Sequence, residues 1–443
     1  MKKRLFFVAL TGLVMTAAQA GGLMTNTNYH IAFDRMMARG ATFDIDAAYS
    51  NPAGLAWGHE GWQLSLNFQK PWQNRDIELT TPANSHTYEG KASAPIVPAL
   101  FASYKKDRWA VSTMIGIVGS GGFVKYDEGV PMFNVLLSSM LQNNKIAPGT
   151  YTIDSEMKGK QYIYGAQVNF TYRILDCLSA AVGFRANYYD GYYRGYVHAE
   201  NHPALGNLAN LDLDVDQRGW GFAPLVGVNF HKGGLTLAAR YEFRTKINTE
   251  NKQNVLDAGL GPKAMAAIAA SPGGAAKLAI LKSTLDAYTT PYKDGEKTRY
   301  DMPALFVFAA GYEFTPKLRA TLEYHFFDDK NAKMAGDRQK ELKHGTHEFL
   351  AGVEYDINEK FTVSCGAQRT DYGLSDGYEQ NTSFACDSWS IGLGGAWNVT
   401  EKMRLNAGYF CSLYSDYDKV VSYGKETYSR TNHVIGLGLD YRF

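Results

Sequence analysis

The sequence predicts an all-β fold, a 14-stranded antiparallel transmembrane β-barrel with helical segments in its outer loops. Three observations predict it. Apolar and polar residues alternate in stretch after stretch, from Trp62-Gln63-Leu64-Ser65-Leu66-Asn67-Phe68 to the last eleven residues. That is the period of a strand with one greasy side. Short polar turns alternate with long loops, as a membrane barrel requires. The composition also fits: aromatic residues make up 13%, with 29 Tyr and 23 Phe, and there are 44 Gly. Such a chain can supply girdles at two interfaces and many turns.

The chain opens with Lys2-Lys3-Arg4, an apolar run from Leu5 to Met15, and Ala18-Gln19-Ala20. These are the three regions of a secretory signal peptide, residues 1–20, with cleavage expected before Gly21. The run is too short to cross a bilayer as a helix, and no later stretch is long enough. Mean hydropathy is −0.29, a value that suits a barrel because half of each strand faces water. The formal net charge is +1 with basic residues scattered, so no nucleic-acid footprint exists. Cys177, Cys365, Cys386 and Cys411 are far apart. Strand parity puts Cys365 and Cys411 outside and Cys177 and Cys386 inside, so no disulfide is expected. No cysteine follows the cleavage site closely, so no lipid anchor is expected.

Residues 21–58 are not strand-like. They hold a short helical stretch, Phe33 to Gly40, and the bend Asn51-Pro52-Ala53-Gly54. Pro52 disfavours helix at Asn51, and Gly54 permits a sharp turn. Ahead of a closed barrel, this piece has two places to go, the periplasm or the lumen. The barrel then occupies 59–443. Its first strand is built on Trp62, Leu64, Leu66 and Phe68; Pro95 to Tyr104 is the second and Trp109 to Gly119 the third. Tyr162 to Tyr172 and Leu178 to Ala186 line the fourth and fifth. Gly219 to Phe230, Leu235 to Lys246, Tyr300 to Phe314 and Leu318 to Phe327 follow. His347 to Asp356, Phe361 to Arg369, Trp389 to Trp397 and Met403 to Cys411 bring the count to thirteen. The fourteenth closes the barrel, with Ile435, Leu437, Leu439, Tyr441 and Phe443 on its lipid side and Asp440 and Arg442 inside. Each piece suits ~9–11 residues of tilted strand. An open edge in hydrocarbon would leave backbone groups unpaired, so the sheet must close. Pro98, Pro224 and Pro303 sit inside expected strands, where proline removes a ladder donor. Each marks either a bulge or a local break in the wall.

Two resemblances add to this. A C-terminal strand ending on Phe443, with Tyr441 two before it, resembles the signal read by the outer-membrane barrel assembly machinery. The stretch Gly40-Ala41-Thr42, Asp46-Ala47-Ala48 and Asn51-Pro52-Ala53-Gly54 resembles the N-terminal hatch of the long-chain fatty-acid transporter family of outer-membrane proteins (FadL/TodX type). The resemblance implies that residues 21–58 are a hatch plugging the lumen of a 14-stranded barrel in the bacterial outer membrane. It also implies uptake of hydrophobic small molecules, long-chain fatty acids or aromatic hydrocarbons.

Two regions could carry that function. The third strand ends in glycines, Gly116, Gly119, Gly121 and Gly122, which let a strand kink. The family places a lateral opening at such a kink; otherwise it is a flexible strand end. In the second long loop Phe133, Leu136, Leu137, Met140 and Leu141 recur at helical spacing. In the fourth, two helical stretches occur: Ala264 to Ala270 around Met265 and Ile268, and Ala275 to Tyr288 with Leu278, Leu281 and Leu285 on one side. These faces either cover each other or form a groove where a greasy ligand docks. Lumen charges by parity are Arg185, Arg240, Glu242, Arg244, Arg319, Glu323, His325, Glu354 and Arg369. They brace the interior or meet a carboxylate head group. His198 with His202, and His344 with His347, lack a completing ligand, so no metal is expected. No Gly-x-Ser-x-Gly elbow or phosphate loop occurs. The expectation is a monomeric, diffusion-driven channel in the lipid bilayer, without cofactor or catalysis. The alternatives are a general porin or a structural surface barrel.

Overall fold

The computed structural model describes residues 23–25, 29–94, 96–119 and 122–443, with Tyr288 described by its backbone alone. The expected signal peptide lies outside the described residues, as does Gly121.

Fourteen antiparallel strands close into a barrel. In chain order they are β1 (Gly61–Thr80), β2 (Val97–Lys106), β3 (Trp109–Gly119), β4 (Thr152–Leu175) and β5 (Leu178–Glu200). Next come β6 (Ala209–Lys232), β7 (Leu235–Glu242), β8 (Leu305–Thr315), β9 (Leu318–Phe327) and β10 (Thr346–Asp356). The last are β11 (Phe361–Asp371), β12 (Ser388–Asn398), β13 (Met403–Tyr414) and β14 (Gly424–Arg442). Each pairs with the next, and β1 pairs with β14 from Gln63↔Arg442 to Thr80↔Lys425. Among the described residues the sheet thus closes on itself, the condition a strand structure must meet in lipid.

Alternation sorts the side chains. Trp62 is 56% exposed and Leu437 63%, so the outer belt faces hydrocarbon. Asn67, Gln167, Asn169 and Asn406 on the inner face are buried. The wall is uneven in height. Strands β4, β5 and β6 run 24, 23 and 24 residues, whereas β7 has 8 and β9 has 10. Only ~9–11 residues are needed to cross, so β4–β6 stand well above the membrane.

Helices lie at both ends. Inside the barrel are α1 (Ile31–Arg35), α2 (Ala47–Ser50) and a 3₁₀ turn Pro52–Trp57. In the outer loops are α3 (Pro131–Asn143), α4 (Pro262–Ala269) and α5 (Gly274–Thr289). The loops 328–345 and 372–387 fold inward, burying Tyr372, Tyr378 and Phe384.

Several expectations need correction. Strand β7 stops at Glu242 instead of Lys246, because Thr245 and Ile247 turn inward and are buried. Strand β8 begins at Leu305 instead of Tyr300; Tyr300 and Met302 also point into the interior, ahead of Pro303. Arg369 is not in the lumen. Its register neighbours Phe349 and Trp389 both face outward, and its guanidinium lies 5.9 Å from the Trp389 ring centre. Arg244 follows the end of β7 and reaches a loop carbonyl, that of Asn331. Cys177 sits in the β4–β5 turn, on neither face. The glycine excess also serves more than turns, as shown next.

Candidate functional site

The residues that fill the bore come from the N-terminal segment. Helix α1 rests on glycines of the last five strands. Register places Gly352, Gly366 and Gly392 in one row across β10–β12, and Gly394, Gly408 and Gly436 in another across β12–β14. A Cβ on Gly436 would overlap Ile31, on Gly408 and Gly392 Asp34, on Gly394 Arg35, on Gly366 Met37 and on Gly352 Met36. These positions lack side chains because a helix lies directly on the strand backbone.

Polar contacts lock the same segment. Arg35 pairs with Glu354, and both are 1% exposed. Asp34 accepts from Gln69 Nε2 at 3.0 Å, and Ile31 N–H donates to Asn67 Oδ1 at 3.1 Å. His30 lies 3.2 Å from Asp440, which also accepts from Ser65 at 2.6 Å. Gly40 N–H donates to Glu323 at 2.7 Å; Glu323 in turn holds His325, which reaches Glu348 at 2.9 Å. Most of the lumen charges expected from parity are thus engaged in bracing, and Arg319 also pairs with Glu354.

The Asn51–Gly54 turn is anchored to the opposite wall. Asn51 caps its own 3₁₀ turn through Ala53 N–H at 3.2 Å and donates to Val228 O at 3.0 Å. Thr171 donates to Pro52 O and Ser179 to Ala53 O, each at 2.7 Å. A Cβ on Gly54 would overlap Thr42 O, so this glycine permits a close backbone approach. Arg185 pairs with Glu242, and Arg185 and Arg240 flank the Tyr49 ring at 5.6 and 4.9 Å.

Above this floor the interior is apolar. One cluster joins Met24, Tyr29, Tyr49, Val118, Ile163, Tyr189, Tyr300 and Met302. Tyr189 stacks on Tyr300 at 5.3 Å, and Tyr300 reaches Tyr193 at 3.4 Å between hydroxyls. Tyr193 meets Tyr292 edge-on at 6.2 Å. Those last two line an apolar pocket with Phe133, Leu136, Met157, Val197, Leu213 and Leu256.

The expected docking residues are therefore divided. Phe133 and Leu136 of α3 line the pocket. Leu137 and Leu141 form the buried side of α3, in a cluster with Ile146, Val197, Leu208 and Ala264. Met140 is half-buried. Leu281 is buried and Leu278 and Leu285 are half-buried on α5, which packs on α4 and on the loop strand Asn248–Leu260. None of the three lines the pocket; the end of α5 contributes Thr289 instead. Sequence reasoning missed Tyr193, Leu213, Leu256 and Tyr292. The run Tyr188-Tyr189-Asp190-Gly191-Tyr192-Tyr193 was the available signal.

The third strand is irregular where glycines were expected to matter. Pairing of β3 with β4 shifts between Ile117 and Gly119, a bulge at Val118. Pairing with β2 ends at Leu100↔Ile115, and among the described residues the next paired are Ser93 and Phe123. Pro98 lies in the interval and has no N–H to give. From inside, Tyr29 donates to Val118 O at 3.2 Å, and a Cβ on Gly119 would overlap Met24 O. Gly116 stays in the strand, and Gly122 has φ +111.

Fold and site together define a sealed bilayer-spanning barrel whose bore is filled by its own N-terminal segment and whose outer mouth carries an apolar pocket. The family description "Outer membrane protein beta-barrel domain" matches residues 260–443, and the chain is a bacterial outer-membrane barrel. Its fold is that of the FadL/TodX-type barrels. It is similar to a Pseudomonas aeruginosa FadL homologue (TM-score 0.64, 14% identity, covering 97% of this chain and 99% of that one). It is similar also to the Ralstonia pickettii toluene transporter TbuX (0.59, 14%, 94% and 99%) and the Pseudomonas putida toluene transporter TodX (0.60, 13%, 96% and 100%). No curated protein matches the chain by sequence.

Proposed function

We propose that the chain is a passive outer-membrane channel for hydrophobic small molecules. Residues 21–58 act as the hatch and 59–443 as the barrel, and a single chain is the working unit. The observation that carries this reading is the continuous apolar interior. It runs from the loop pocket at Phe133 and Leu136, past Tyr193, Tyr300 and Tyr189, to Met24 and Val118 at the β3 bulge. A pocket of apolar walls with few polar groups is what a greasy ligand needs. A water-filled porin would not fill its bore with hydrogen-bonded protein. The solved barrels of like fold include toluene transporters, which agrees with a hydrophobic cargo.

In this reading a ligand docks at α3, descends the apolar interior, and leaves sideways where β2 and β3 are unpaired. The floor supports a sideways exit, because it is held by glycine seating on one wall and by hydrogen bonds on the other. Uptake of radiolabelled oleate and toluene by cells expressing the chain tests the function. Gly119→Val, which fills the inner side of the bulge, should abolish uptake and leave assembly intact. Free passage of small hydrophilic solutes into reconstituted liposomes would instead establish a general porin, and passage of neither a structural barrel.

A further inference from the structure

The wall has a second interruption. Pairing of β6 with β7 ends at Leu225↔Glu242 and resumes at Arg218↔Glu250 on the loop strand Asn248–Leu260. At the lower lip Phe243 N–H donates to Pro224 O at 3.1 Å. Pro224 offers an acceptor there and no donor. Beyond Phe243 the chain leaves the ladder and tucks behind β6. A side chain on Gly221 would run into Thr245 and Ile247, and one on Gly219 into Asn248 O.

The tucked segment is held from its other side. Thr245 exchanges backbone bonds with Met302 at 3.1 and 3.0 Å, and Tyr300 N–H donates to Ile247 O at 3.0 Å. Ile247 N–H donates to Asp301 Oδ1 at 3.2 Å, and Asp301 is gripped by Arg299 at 2.6 Å. The segment is thus bonded towards β8 and, through Asn187 Nδ2 donating to Thr245 Oγ1 at 2.9 Å, to β5; against β6 it makes close packing contacts. Unpaired backbone at membrane depth survives where it is buried in protein or lines a cavity.

The two sides of this seam differ in surroundings. Outside, Trp220 is 60% exposed and Phe222 55%, and Phe243 is exposed beside them. Arg218 and Asp216, the next outward residues, mark the end of the apolar belt, so the seam lies at the outer-leaflet level. Inside, Ile247, Tyr300, Met302 and Tyr189 belong to the apolar cluster of the interior. The charged neighbours Arg244 and Asp301 are engaged with Asn331 O and with Arg299.

We propose that this seam is a second side passage, joining the outer leaflet to the apolar interior and taking neutral apolar molecules that carry no charged head group. It rests on the reading of the chain as a channel for hydrophobic compounds. A benzophenone side chain placed at Ile247 tests it, in protein reconstituted into vesicles containing tritiated dodecane, which stays in the bilayer. Val307, buried behind ladder paired on both sides, carries the same group as the control, and both are repeated in a Gly119→Val background. Label at Ile247 in both backgrounds, and none at Val307, is expected. Loss of the Ile247 label in Gly119→Val would mean the probe arrives through the bore. That would overturn the passage and leave the transport reading standing. No label at Ile247 alongside normal uptake would also overturn it. Label at Ile247 without any uptake would uphold the seam and refute transport. Should the Ile247 variant fail to assemble, Tyr300 carries the group with the same expected and overturning results.

Discussion

Arg35 and the glycines beneath it show how single residues fix the floor. Removing Arg35 strands Glu354, a carboxylate 1% exposed, and breaking a buried pair costs about 3–5 kcal/mol. Arg319 still reaches Glu354 and trims that figure. Arg35→Ala should therefore lower the urea midpoint of the refolded barrel without changing its strand content by circular dichroism. Gly436→Val tests the seat. Its side chain lands on Ile31 and Asp34, and overpacking costs about 1–3 kcal/mol. Single-channel recording should then show ion leakage that the parent lacks. Parity made most of the inner charges legible. Arg369 was misplaced because a charge invites an inward reading, whereas it lies over Trp389 on the outer face. The glycine seat was not legible, because glycine in a sequence signals turns unless its backbone neighbour is known.

At the scale of elements, β3 and β9 were readable because alternation runs through each and a tight turn bounds each at one end. The tall strands were not. Beyond the membrane β4–β6 keep alternating, but polar residues such as Asp212, Asp214 and Asp216 replace the greasy face. Helix α3 was readable by its spacing, yet which face lines the pocket depends on the strands above the membrane. Phe133→Ser or Leu136→Ser should weaken binding of a hydrophobic ligand roughly tenfold, since one buried apolar side chain contributes about 1.5–3 kcal/mol. Leu278→Ala should leave affinity unchanged in the same titration. The inward loop 372–387 has a pH response of its own. Burial pushes the Glu379 carboxyl up to about 8, against the pull of Arg338 and Lys419. The closed loop keeps a proton that an opened loop gives up near 4.5. Its closure is strongest below that value, weakens as pH rises to about 8, and is constant beyond. Hydrogen exchange at Phe384–Cys386, corrected for intrinsic rates, should rise over that window, and Glu379→Gln should flatten the response.

For the whole molecule, strand count, closure and membrane placement followed from periodicity, because a bilayer allows strands no other arrangement. What periodicity could not reveal were the two places, among the described residues, where neighbours stop pairing. Prolines pointed to them, but a proline reads alike at a harmless bulge and at a gap. Deleting residues 29–58 should convert the barrel into an open pore, seen as steady conductance in planar bilayers. Unchanged conductance would mean that the loops alone seal it.

The bed of glycines belongs to β10–β14, while its occupant lies ahead of β1 in the chain. Ile31–Met37 therefore has nowhere to settle until those five staves stand side by side, so corking depends on that part of the cylinder being in place. An assembly intermediate lacking the last strands would be both unsealed and uncorked, and the two defects would heal together.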